Sequence, residues 1–308
     1  MQTIESLKRK IKSTQDLLSV VKTMKALAAV SIRQYQRAVE SLTDYNRTVE
    51  MGPQIALTAR EDSEIPADVV PARRAGAIVF GSAQGLCGQF NTQIVSYALE
   101  ELDSLNVPLE NRTMLAIGER VKDQLERAGH TVYDTLFTPS STAGVAPMVQ
   151  EIMMILEEWH FSRQIQHIYL IYNHYISGAA FQPRTTRLLP VDRTWLNDIR
   201  SRPWESRTLP MFTMDWDTLF LSLLREYFFV SLFQAFTESL ASENASRLAA
   251  MQNAEKNIGE HLEEIFAAYH RRRQMTITEE LLDIVSGYEA MEADTRLPKK
   301  GGKGPPAE

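Results

Sequence analysis

The sequence predicts an α+α/β protein: a long antiparallel coiled coil made by the two ends of the chain, with a Rossmann-like α/β domain inserted between them. Three observations predict it. Residues 4–42 carry an apolar seam at alternating three- and four-residue steps. Residues 75–195 alternate strand-type and helix-type stretches. Residues 213–291 form a second long helical stretch with a seam of its own.

The first element is a helix over residues 1–57. Its seam is Ile4, Leu7, Ile11, Thr14, Leu18, Val21, Lys25, Ala28, Ile32, Tyr35, Val39 and Leu42, apolar or aromatic except at Thr14 and Lys25. That period keeps one face turned toward a partner helix. No Gly or Pro interrupts it before Gly52-Pro53. Thr58 to Arg74, with its acids, Ser63, Pro66 and Pro71, reads as a linker.

The middle segment opens with a short apolar strand, residues 76–80, followed by Gly81-Ser-Ala-Gln-Gly85-Leu-Cys-Gly88 and a helix over about 91–105. Further strands are expected at 113–117, 131–137 and 165–172, and helices at 119–128 and 143–161. Residues 184–191 offer a hairpin partner to the last strand. This alternation predicts a mainly parallel sheet covered by helices. Asp192 to Pro210, with Pro203, Pro210 and two tryptophans, reads as a loop.

The last helix has a seam through Leu240, Asn244, Leu248, Met251, Glu255, Ile258, Leu262, Ile265 and Tyr269. Residues 292–308 end in a stretch rich in Gly, Pro and Lys, a composition that does not pack, and are read as a disordered tail.

Helix lengths sharpen this reading. At 1.5 Å per residue the first helix is on the order of 80 Å long and the last on the order of 110 Å. If residues near 45 lie beside residues near 218, Ile4 lies beside residue 259. The last helix then outruns its partner by roughly 30 residues, about 45 Å. Ile265, Phe266, Met275, Ile277, Leu281, Leu282, Ile284 and Val285 lie on that stretch. A lone helix bearing them is marginal in water and prone to aggregate, so another protein is expected to surround it. The cationic run His270-Arg-Arg-Arg273 would then need acidic or carbonyl partners, because an unpaired buried charge is costly.

Composition excludes several classes. A net charge of −6 argues against nucleic acid as the main partner. Residues 1–60 depart from that balance, with ten Lys/Arg against five Asp/Glu, a net of +5. Either this is a solvated helix face or it meets an acidic protein surface. The one cysteine, Cys87, rules out an internal disulfide framework, and the six histidines show no His-x3-His spacing. No cofactor or metal site is expected. The N-terminus lacks the apolar core of a secretory signal. The most apolar stretch, Leu219 to Phe236, is broken by Arg225, Glu226 and Gln234, so no membrane insertion is expected. Gly81-x3-Gly85-x2-Gly88 matches neither the dinucleotide fingerprint nor a phosphate loop, and no lysine lies between residues 26 and 121.

The residues also support a resemblance. Leu240-Ala-Ser-Glu-Asn-Ala-Ser-Arg-Leu-Ala-Ala-Met251, Arg273-Gln-Met-Thr-Ile-Thr-Glu-Glu-Leu-Leu-Asp-Ile-Val-Ser-Gly287, Val21-Lys-Thr-Met-Lys-Ala-Leu-Ala-Ala29, Gly85-Leu-Cys-Gly88 and Phe90-Asn91 occur in the order found in gamma subunits of F-type ATP synthases. The chain resembles that family over nearly its full length. It departs at Ala83 and Gln84, where the family usually has an acid and an arginine, and at Gln89, where a second glycine is usual. These departures and the linkers are those of a divergent branch, in which the coupling ion is either proton or sodium.

The resemblance implies a rotor shaft that does no catalysis itself. Its expected partners are the alpha and beta subunits, the epsilon subunit and the membrane c ring. Its expected place is peripheral, on the cytoplasmic side of the bacterial inner membrane. Carried over residue by residue, Met24 and Lys25 match the segment facing an acidic lever of beta. Arg273 and Gln274 match positions that meet a beta catch loop, and Thr276 joins them in the contact set. Arg247 matches an arginine of the shaft. From the residues alone, Met24 is equally a seam residue. A static coiled-coil scaffold or tether also fits the periodicity, and it predicts a seam that closes on itself or on a twin.

Overall fold

The computed structural model describes residues 3–58, 74–105, 107–204, 208 and 210–295. Most of the acidic linker, and the tail from residue 296, lie outside the described residues. The order is α1 (Ile4–Thr58), β1 (Ala75–Phe80), α2 (Phe90–Ser104), β2 (Arg112–Ile117), α3 (Glu119–Arg127), β3 (Val132–Leu136), α4 (Val145–Phe161), β4 (His167–Ser177), β5 (Ala180–Leu189), α5 (Arg193–Ser201) and α6 (Trp216–Thr295). Single 3-10 turns precede β2 and α4. By contact the chain divides into two units, Thr23–Asn253 and the pair Met1–Lys22 with Ala254–Glu308.

In the larger unit, one five-stranded sheet has the order β3-β2-β1-β4-β5. β1 pairs in parallel with β2 and β4, β2 pairs in parallel with β3, and β5 closes the edge as the antiparallel hairpin partner of β4. β1 lies at the centre and all six of its residues are buried, as a strand covered on both faces requires. One face packs Ala77, Val79, Met114 and Ala116 against Ile94 and Leu102 of α2 and Val121 and Leu125 of α3. The other packs Ile78, Phe80, Leu115 and Ile117 against Val149, Ile152 and Trp159 of α4, Tyr35 of α1, and Leu232, Phe236 and Leu240 of α6.

The ends of α1 and α6 in this unit run antiparallel. The Tyr45 hydroxyl donates to the Glu226 carboxylate, and eleven residues further along α1 the Trp216 indole N–H donates to the Ala56 carbonyl at 2.7 Å. This register corrects the assumed one: residue 45 faces residue 226, two helical turns further along α6 than residue 218. Apolar spacing sets which face of a helix pairs and leaves the axial offset open, which specific contacts such as Tyr45–Glu226 settle.

The charges in α6 do not keep its apolar stretch below the composition of a membrane span, and one stretch read as a loop is a helix. α6 contains an 18-residue window of mean hydropathy 1.4, long and apolar enough to cross a membrane by composition. Its Val230, Leu232, Ala235 and Phe236 are buried, the last three of them in the sheet core. And Arg193–Ser201, inside the stretch read as a loop, is the helix α5. Asp192 caps it, its carboxylate accepting from the Thr194 N–H at 2.9 Å, while Leu196 and Ile199 bury one face.

The cap makes a pH prediction. Hydrogen bonds from Thr194 hold the Asp192 carboxyl below the usual carboxylate range. Its contribution is therefore complete above the ordinary Asp pKa and is lost as pH falls through the lower folded value. Asp192→Ala should raise the exchange rate of the α5 amides by the loss of about 1 kcal/mol at neutral pH. Asp192→Asn should keep protection that no longer weakens in acid.

In the smaller unit, the described seam positions of α1, Ile4 through Val21, are all buried or half-buried, with Leu7 3% exposed. On α6 the same holds for Glu255, Ile258, Leu262, Ile265 and Tyr269, and it continues through Arg272 and Thr276. From Ile277 onward every described side chain is exposed. The bare stretch begins nearly five turns later than the lengths alone implied, more than the two-turn shift in register accounts for.

Candidate functional site

Two places on the chain carry the features singled out by sequence. The first is the loop after β1. In an open parallel sheet the ligand crevice lies beyond the carboxyl ends of the strands, where chain order reverses. Here that point is between β1 and β4. The loop Gly81–Gln89 rises from it and leads into α2.

The loop is held from beneath by Asn91. Its side-chain oxygen accepts from the Ser82 N–H at 3.0 Å, and its amide donates to the Ser82 hydroxyl at 2.8 Å and to the Cys87 sulfur at 3.3 Å. Ser82 is fully buried, and its hydroxyl donates to the Gln84 carbonyl at 2.8 Å. Burial pushes the Cys87 thiol up, against the smaller opposing effect of its hydrogen bond with Ser82, so the thiolate is disfavoured.

From above, the crevice is occupied by α6. The Ser242 hydroxyl lies 2.9 Å from the carbonyl of Asn173 in β4 and 2.9 Å from the Glu238 carbonyl one turn back on α6, and its single proton is shared between them. One turn further the Ser246 hydroxyl donates to the Cys87 carbonyl at 2.6 Å. Arg247 reaches the Gln84 and Gly85 carbonyls at 3.3 and 3.4 Å and pairs with Glu243 at 2.7 Å. Glu243 is buried. Desolvation raises its carboxyl pKa, and the Arg247 guanidinium works against that rise. Tyr35 of α1 is buried within reach of the same charge: burial first, then Glu243, raises its hydroxyl pKa. A second tie lies on the same helix face, where His174 of β4 meets the buried Glu238 carboxylate, which also accepts from Gln234 at 2.8 Å.

The place where an α/β domain of this type takes a nucleotide is thus filled by the chain's own helix. Arg247, expected on the shaft, spends its guanidinium within the chain, and its side chain is 14% exposed. Sequence reasoning did not single out Ser242, Ser246 or Glu243 individually, although they lie in the quoted segment. The departures Gln84 and Gln89 are exposed, and Ala83 is half-buried.

The second place is the end of α6. Arg273 and Gln274 are exposed and Thr276 is half-buried. The neighbouring Arg272 lies 3.9 Å from Glu279. Beyond them Leu281, Leu282, Ile284 and Tyr288 are 58–69% exposed. Met24 and Lys25 are half-buried on α1. Met24 and Lys25 belong to the larger unit and Arg273, Gln274 and Thr276 to the smaller.

A family model described as ATP synthase matches residues 3–291. The chain belongs to the ATP synthase gamma chain family. Gamma chains from Pelotomaculum thermopropionicum and Cupriavidus metallidurans are 25% and 28% identical to it, covering 95% and 94% of this chain and 100% of theirs. That from Brevibacillus brevis is 26% identical, covering 93% and 98%. Among solved structures, a chain of the Euglena gracilis mitochondrial ATP synthase, OSCP/F1/c-ring, superposes with TM-score 0.66 at 17% identity, over 97% of this chain and 98% of that one. A chain of the Tetrahymena thermophila central stalk and c-ring gives 0.54 at 20% identity, over 76% and 99%. At those identities the structural likeness speaks to the fold: helix, mixed sheet and long helix recur in that order.

Proposed function

We propose that this gamma chain is the central rotor shaft of an F-type ATP synthase, coupling ion flow through a membrane c ring to ATP synthesis or hydrolysis in an alpha/beta hexamer. The observation that carries the reading is the end of α6, a helix whose described side chains are all exposed from Ile277 to Met291 and include Leu281, Leu282, Ile284, Val285 and Tyr288. A helix of that composition needs an enclosing partner, and a bearing formed by alpha and beta supplies one.

In this reading ions turn the ring, the ring turns the α/β domain with epsilon, and α1 and α6 turn inside the hexamer. Phosphoryl chemistry stays on beta, and the shaft contributes stiffness and an eccentric cross-section. Arg273, Gln274 and Thr276 are proposed to contact a beta loop, and Met24 and Lys25 an acidic lever of beta. The chain is peripheral, proposed to sit on the cytoplasmic face of a bacterial inner membrane, with proton or sodium as the coupling ion.

A cysteine placed at Met275, which is 53% exposed, tests the reading. Crosslinking it to beta in the assembled complex should stop ATP turnover, and reducing the crosslink should restore it. Hydrolysis that continues to pump ions with the crosslink in place would overturn the shaft role.

A further inference from the structure

Resting on the shaft reading, we propose that Ser242, Ser246 and Arg247 are positioning residues that key the α/β domain to α6, so that torque entering through the domain reaches the shaft without slip. The domain meets α6 largely through apolar packing of Leu232, Phe236 and Leu240, driven by a hydrophobic effect that is itself non-directional. Besides the His174–Glu238 tie within that stretch, directional contacts lie further along α6, at the loop after β1 and at Asn173 of β4. Three loop carbonyls, those of Gln84, Gly85 and Cys87, and that of Asn173 face three side chains of α6.

One guanidinium nitrogen of Arg247, Nη2, makes all of these contacts: its two N–H groups are shared between the buried Glu243 carboxylate at 2.7 Å and the Gln84 and Gly85 carbonyls at 3.3 and 3.4 Å. The acceptors are backbone atoms, so the loop is gripped by its shape, which is set by Asn91 and by the positive φ of Leu86 (65°) and Gly88 (58°). Gly88 lies close enough that a side-chain carbon there would stand 3.5 Å from the Ser246 hydroxyl. The grip therefore needs no particular loop side chain, which fits a chain carrying Ala83, Gln84 and Gln89.

Buried Cys87 lies under the loop and reports its release. In the assembled, membrane-bound complex, Arg247→Ala should raise the alkylation rate of Cys87 by about 10- to 100-fold, the local opening expected from losing a charge-assisted hydrogen bond at a buried site. Subunit stoichiometry and unloaded ATP hydrolysis should be retained. Ions pumped per ATP should fall, and fall further as the opposing ion gradient is raised, because slip grows with load. Arg247→Lys, which keeps a charged donor nitrogen but not the planar guanidinium that places it, should lie between. Ser246→Ala, which removes one hydroxyl, decides the matter if the arginine variant does not assemble: it should accelerate Cys87 alkylation and slip under load in the same sense. Faster Cys87 alkylation with unchanged ions per ATP at high load would overturn the proposal, as would unchanged alkylation. A wild-type complex that hydrolyses ATP without pumping would instead contradict the shaft reading itself.

Discussion

Phe236→Ala should destabilise the α/β unit by about 3–5 kcal/mol, the range for emptying a buried aromatic site. Phe236 is 1% exposed and meets Phe80 of the central strand edge-to-face, with ring centroids 5.1 Å apart at 83°. Phe80 in turn stands edge-on to Tyr172 of β4. Truncation removes the apolar area, one aromatic pair and the main anchor of α6 on that face of the sheet. Neighbours are close-packed: Leu232, Leu240 and Ala241 flank it on one helix and cannot collapse inward without moving α6. Denaturant unfolding of the full chain, followed by tryptophan fluorescence, to which buried Trp159 contributes, should show the midpoint falling in proportion to that loss with little change in slope. A loss below about 1 kcal/mol would mean that α6 does not pack on the sheet as described.

Gly118→Ala should be comparably severe, for a backbone reason. Gly118 sits between β2 and α3 at φ +101°, in the half of conformational space that side-chain-bearing residues avoid. An added Cβ would stand 2.5 and 2.6 Å from the Ser82 carbonyl carbon and oxygen. Those are main-chain atoms of the loop held by Asn91, so no side-chain rotation relieves the clash. Strain and clash together should cost about 3 kcal/mol or more, although only a methyl group is added. Because the clash lands on Ser82, alkylation of Cys87 should accelerate before global unfolding does. A variant with wild-type unfolding and unchanged Cys87 reactivity would contradict the geometry of that turn.

Much of this architecture is legible because its signals are periodic. The α1 seam from Ile4 to Leu42 is buried or half-buried at every position. The strands fall where short apolar runs end in glycine or a polar turn, and the β4–β5 hairpin pairs residues 184–189 as expected. What escaped has physical causes. The register of α1 on α6 is fixed by single contacts such as Tyr45–Glu226, which no periodicity encodes. α5 was hidden by flanking prolines and tryptophans, although its Asp192 cap and the spacing of Leu196 and Ile199 were present.

The site is legible to different degrees. Arg273 and Gln274 are singled out by the family resemblance of the stretch Arg273–Gly287, and the helix that carries them outruns its partner on length alone. Ser242, Ser246 and Glu243 are not singled out, because their role is to grip backbone carbonyls. Every residue carries a carbonyl, so the sequence of the loop leaves no trace of being held. The same fact explains why the carbonyl contacts of Arg247 within the chain were not foreseen.

The central claim is that this chain turns inside its partners. The most direct test fixes the alpha/beta hexamer to a surface and attaches a bead to the α/β domain, at exposed Phe161 changed to cysteine. The account predicts continuous rotation in one direction on adding ATP, at a rate that follows hydrolysis and stops when Met275→Cys is crosslinked to beta. Hydrolysis at the normal rate beneath a bead that only fluctuates about a fixed angle would contradict it.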